Sequence, residues 1–79
     1  MTSAYVLIKI KAGKIRDVLK ELRKIHEIRH LDPVTGPYDI IGFVEAPDLA
    51  TLGKLVVDRI QAIEGIEDTL TCNVITFEV

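Results

Sequence analysis

Thr35-Gly36-Pro37-Tyr38-Asp39-Ile40-Ile41-Gly42 is the stretch on which the reading of this chain turns. A Gly-Pro turn runs directly into an apolar strand, and that strand opens on an acid. Gly and Pro punctuate loops, and a β-branched run bounded by them reads as a strand. A carboxylate at such a strand opening is placed to grip a cationic group. The stretch also divides the chain into two similar halves.

Upstream, Ala4-Tyr5-Val6-Leu7-Ile8-Lys9-Ile10-Lys11 is β-branched and bounded by Gly13, which predicts a strand. Ile15, Val18, Leu19, Leu22 and Ile25 then recur at three- and four-residue spacing, the mark of an amphipathic helix. Arg16, Lys20, Glu21, Arg23 and Lys24 fill its outer face. A weaker strand signal runs from Glu27 to Asp32 and stops at Pro33. Downstream, Tyr38 to Glu45 predicts a strongly apolar strand ended by Ala46-Pro47. Asp48 is a good N-cap for a second helix, whose apolar stripe is Leu49, Leu52, Leu55, Val56, Ile60 and Ile63. Gly65 closes that helix. Ile66 to Val79 alternates loosely and reads as one long final strand.

The order is β-α-β followed by β-α-β, which predicts an α+β fold of the ferredoxin-like βαββαβ kind. Four antiparallel strands would form one sheet with both helices on one face. The other face carries a separate signal. In the first strand Val6, Ile8 and Ile10 alternate with Tyr5, Leu7 and Lys9; in the third, Ile40, Gly42 and Val44 alternate with Ile41 and Phe43. Large apolar residues stand at both parities, whereas a one-sided sheet should alternate apolar with polar. A second copy of the same sheet is the economical cover, so the sequence predicts a face-to-face dimer through Tyr5, Leu7, Ile41 and Phe43.

Bulk properties agree with a small assembling domain. Seventy-nine residues make one domain, 1–79, that buries only roughly 60–65% of its unfolded surface when alone. One cysteine, Cys72, precludes an internal disulfide; its apolar neighbours predict a buried, inert thiol in a reducing compartment. Oligomerisation is then the expected extra source of stability. The net charge of −2 offers no general attraction for a phosphate backbone. Basic residues gather in the first half and acidic ones in the second, which suits complementary packing between copies. No apolar run reaches the length of a membrane span and no signal peptide is recognisable, so a cytoplasmic protein is expected.

With the halves in place, the chain resembles the effector-binding module, or RAM domain, of the Lrp/AsnC (feast/famine) transcription regulators. The resemblance rests on Gly36-Pro37-Tyr38-Asp39-Ile40-Ile41, on Leu55-Val56-Val57-Asp58-Arg59-Ile60 and on Gly65-Ile66-Glu67-Asp68-Thr69-Leu70-Thr71, in that order. It covers essentially the entire chain. Regulators of that family carry an N-terminal helix-turn-helix domain, whereas this sequence opens on its first strand, so a stand-alone module without its own DNA reader is expected.

The resemblance implies small effectors, usually amino acids, held in clefts where dimers meet in a ring such as an octamer or decamer. By position it implies Thr35, Gly36, Tyr38 and Asp39 on one side of the cleft and Thr69 and Thr71 on the other. An ammonium would suit Asp39; a carboxylate would suit the threonine hydroxyls and the N–H groups near Gly36. Plainer roles stand beside these. Gly36 and Pro37 form a turn in any case, Tyr38 suits interface packing, and Thr69 and Thr71 are good strand residues. Asp39 could instead cap backbone or bridge subunits. Full-length Lrp/AsnC regulators are expected partners in mixed assemblies.

His26 and His30 stand four apart, a spacing that suits zinc only on a continuous helix, and the helix ends near Ile25 to Ile28; no metal and no cofactor is expected. His30 with Asp32 reads as a solvated pair beside a proline turn. The competing function classes are a small dimeric α+β barrel enzyme, oxygenase- or isomerase-like, and a purely structural assembly module. With no Trp, two Tyr and two Phe, and aliphatic internal positions, catalysis is not expected.

Overall fold

The computed structural model describes residues 1–77. Strand β1 (Thr2–Ile10) leads to helix α1 (Ile15–Leu22) and strand β2 (Ile28–Pro33). Strand β3 (Ile40–Ala46), helix α2 (Leu49–Leu55) continued by a π-helical turn (Val56–Ile60), and strand β4 (Ile66–Asn73) complete the chain. The four strands form one antiparallel sheet in the order β2-β3-β1-β4. This is the ferredoxin-like arrangement the sequence predicts.

Pleat alternation sorts the two central strands. Ala4, Val6, Ile8 and Ile10 of β1, with Ile40, Val44 and Ala46 of β3, are buried together with Val18 and Leu22 of α1 and Leu52, Leu55, Val56 and Ile60 of α2 and its extension. Both helices therefore cover the same face. Gly42 lies beneath Leu31, whose Cδ1 would be 3.4 Å from an added Cβ. Among the described residues, no helix is long and apolar enough to cross a membrane.

Asp48 caps α2 as expected. Its Oδ1 accepts the Thr51 N–H at 2.7 Å, which holds the Asp48 carboxyl below its ordinary value. Leu49, placed on the apolar stripe by spacing, is exposed in the first turn. Helix α1 is shorter than its apolar periodicity suggests. After Leu22 the chain tightens through Lys24 N–H to Glu21 O (3.2 Å) and Ile25 N–H to Leu22 O (3.0 Å), and this turn still buries Ile25.

The final strand also differs from expectation. It stops at Asn73, opposite Ala4, although β1 itself extends two residues further, to Thr2. A single further bond, Val74 N–H to Ser3 O at 2.9 Å, follows. The remainder of the expected strand, at Glu78 and Val79, lies outside the described residues.

Candidate effector site and open sheet face

The 34–39 loop is closed by main-chain bonds around one glycine. Gly36 has φ +136°, a conformation strained for other residues, and the space where a side chain would begin is open. Pro37 follows with its fixed φ. Val34 N–H donates to Asp39 O (2.9 Å), and Asp39 N–H donates to Ile8 O (2.9 Å). The Asp39 side chain reaches past the end of the β1–β3 ladder, where Oδ2 accepts the Ile10 N–H at 2.8 Å. Thr35, Gly36, Tyr38 and Asp39 are thus brought into one loop, with Thr35 exposed and Tyr38 and Asp39 half-buried.

Thr69 and Thr71 stand elsewhere. They are opposite Ile8 and Val6 on β4, so within one chain the whole of β1 separates them from the loop. Both lie on the helix side of the sheet and are half-buried. Thr69 Oγ1 accepts a hydrogen bond from Gln61 Nε2 at 2.8 Å. Gln61 follows the π-helical turn, with its N–H bonded to Val56 O at 2.8 Å. A groove of about 270 Å³ lies here, lined by Gln61, Ile66, Glu67, Asp68 and Thr69.

The sheet face away from the helices is apolar across its middle. Tyr5 stands between Phe43 and Cys72, and Leu7 between Ile41 and Leu70. The Tyr5 and Phe43 rings are 5.0 Å apart at 56°, a tilted aromatic pair. Tyr5 and Leu70 are each 48% exposed, a large uncovered fraction for side chains of this kind. Charge collects at the rim: His30 Nε2 is 2.9 Å from Asp32 Oδ2, Arg29 Nε is 3.4 Å from Glu45 Oε1, and Lys9 is opposite Asp68.

Several sequence readings change here. Cys72 is exposed on this face, not buried, because its register with Tyr5 turns it away from the helices. His30 and Asp32 are residues of β2 and not of a loop, and their side chains meet on an exposed part of the strand. His26 lies in the turn after α1 and His30 on β2, so they share no helix. Among the described residues, no group of three His, Cys, Asp or Glu side chains could hold a metal.

The family model of the Lrp/AsnC ligand binding domain matches residues 3–76. The chain belongs to the Lrp/AsnC family. Among curated relatives, an uncharacterized HTH-type transcriptional regulator of Pyrococcus abyssi (strain GE5 / Orsay) is 35% identical over 68 residues, covering 86% of this chain and 43% of its own. HTH-type transcriptional regulator FL11 of Pyrococcus furiosus is 37% identical over 68 residues, covering 86% of this chain and 44% of its own. The chain therefore spans less than half the length of these regulators. Among solved structures, FFRP-DM1 superposes with a TM-score of 0.91 at 32% identity, covering 95% of this chain and all of that one.

One feature of this Lrp/AsnC domain escaped sequence reasoning, and a second was read only in part. Gln61 gave no signal, because an exposed glutamine after a helix is ordinary and the π-helical turn that aims it has no sequence signature. Asp39 was visible as an acid in an unfavourable place, but its partner, the main chain of Ile10, lies 29 residues away.

Proposed function

We propose that this domain is a non-enzymatic sensing and assembly module. It binds a small effector, an amino acid, between dimers, and it dimerises through the open face built on Tyr5, Leu7, Ile41 and Phe43. The observation that carries this reading is the separation of the two half-sites by β1. Thr35, Gly36 and Tyr38, on the loop that Asp39 closes, line one half and Thr69 and Thr71 the other, so a cleft using both needs a second copy.

The mechanism is linkage. A ligand that contacts two dimers binds only the assembled state and favours it by mass action. Dimers would close into a ring of eight or ten subunits. Reading DNA would fall to full-length regulators of the same family, joined in mixed assemblies in the cytoplasm; both helices described here are packed against the sheet. The space between sheet and helices is filled by aliphatic side chains, which supports binding at subunit boundaries over an internal catalytic cavity.

Titration calorimetry with each common amino acid in turn tests the sensing role. One of them should bind, and Thr69→Val should weaken it about tenfold by removing a hydroxyl bonded to a charged group. Binding by none of them, or binding untouched by substitution at both Thr69 and Thr35, would contradict the proposed site.

A further inference from the structure

Three hydrogen bonds converge on Asp39, and together they define a role other than the ammonium grip suggested by its position in the sequence. Its N–H donates to Ile8 O, its carbonyl accepts from Val34 N–H, and its Oδ2 accepts from Ile10 N–H at 2.8 Å. The paired register of β1 and β3 ends at Ile8 opposite Ile40. Beyond that point Ile10 needs an acceptor on its β3 side. The Asp39 main-chain carbonyl is already turned into the loop, towards Val34. The carboxylate stands in for the missing ladder carbonyl, and an unpaired N–H on the nearly buried Ile10 would be costly.

Ile10 is also where β1 meets the other half-site. The β1–β4 register shifts between Lys9 and Ile10, after which Ile10 is opposite Ile66, and Lys11 N–H donates to Gly65 O at 2.8 Å. The strand that begins there carries Thr69 three residues on. One carboxylate therefore fastens the 34–39 loop to the point of β1 from which β4 starts. The rest of β1 presents Tyr5 and Leu7 to the open face.

We infer that Asp39 is a positioning residue: its carboxylate locks the effector loop to the β1–β4 bulge and so holds the two half-sites in fixed relation, without itself meeting the effector's ammonium. The effector part rests on the function proposed above; the lock itself does not.

Asp39→Asn and Asp39→Ala separate the two roles, because asparagine keeps an acceptor oxygen and loses only the charge. Two readouts on the full chain are needed: exchange of the Ile10 amide by NMR, and calorimetric titration with the amino acid that binds the unaltered protein. Asp39→Asn should keep the Ile10 amide protected and the affinity within about threefold. Asp39→Ala should speed Ile10 exchange and lower affinity, each about tenfold. Loss of affinity in Asp39→Asn as steep as in Asp39→Ala, with Ile10 still protected, would overturn the inference and place the charge on the ligand. If no amino acid binds the unaltered protein, the proposed function fails, and Ile10 exchange alone decides the lock. Protection unchanged in Asp39→Ala would then refute it. Should Asp39→Ala not fold, the asparagine variant still decides: it must fold and protect Ile10, or the inference is lost.

Discussion

Gly65 holds φ +103° where the chain turns from the second helix into β4, and its surroundings leave no room for a side chain. A Cβ added there would lie 2.9 Å from Val18 Cγ2 and 3.0 Å from Lys14 Cβ. Gly65→Ala combines a strained backbone with a clash against α1 and should destabilise the fold by roughly 1–3 kcal/mol in urea unfolding. Gly36, equally strained in φ but facing open space, should tolerate alanine better. Asp48 gives a pH signature. The Thr51 N–H lowers its folded-state pKa below the ordinary value of 3.8, so its stabilising contribution is full above that value and fades as pH falls through the lower, folded pKa. Asp48→Ala should thus have a lower Tm than the unaltered chain at neutral pH, and the gap should close on strong acidification. Both residues were legible in the sequence, because caps and helix-ending glycines act on neighbours a few positions away. The thiol of Cys72 was not: its exposure depends on which face its register with Tyr5 assigns it.

At the scale of elements, period-2 alternation in β1 and β3 was readable because each strand presents one parity to the helices, and those positions are the buried ones. Element ends were harder to read. The apolar run past Asn73 looks like strand, but pairing with β1 stops opposite Ala4, two residues short of the start of β1. The stripe Leu52, Leu55, Val56, Ile60 fits a plain α-helix equally well, so the π-helical turn is set by packing and not by spacing. Helix α1 docks chiefly through Val18 and Leu22, both fully buried. Leu22→Ala should cost about 2–5 kcal/mol, measured by urea unfolding. Gln61→Ala, which removes an exposed bond to Thr69, should cost no more than about 1 kcal/mol in the same assay. A much larger loss would mean that this bond anchors the helix end to β4.

For the whole molecule, the decisive feature is an apolar sheet face with a charged rim. Its outline was visible in the sequence as apolar residues at both parities, and the register supplied what pattern could not: Leu70 and Cys72 complete the two rows begun by Leu7 with Ile41 and by Tyr5 with Phe43. The candidate effector site was only half legible. Its residues could be named by position, but their separation across β1 appears only once the strand order is known. Ile41→Asp or Phe43→Asp should yield monomer or insoluble protein, because each puts a charge into the middle of the proposed contact. Absolute mass by size-exclusion light scattering, for the protein alone and with each common amino acid in turn, tests assembly and sensing together. A mass equal to a multiple of the dimer that shifts with one amino acid is the expected result. A monomer, or a lone dimer indifferent to every amino acid, would contradict it.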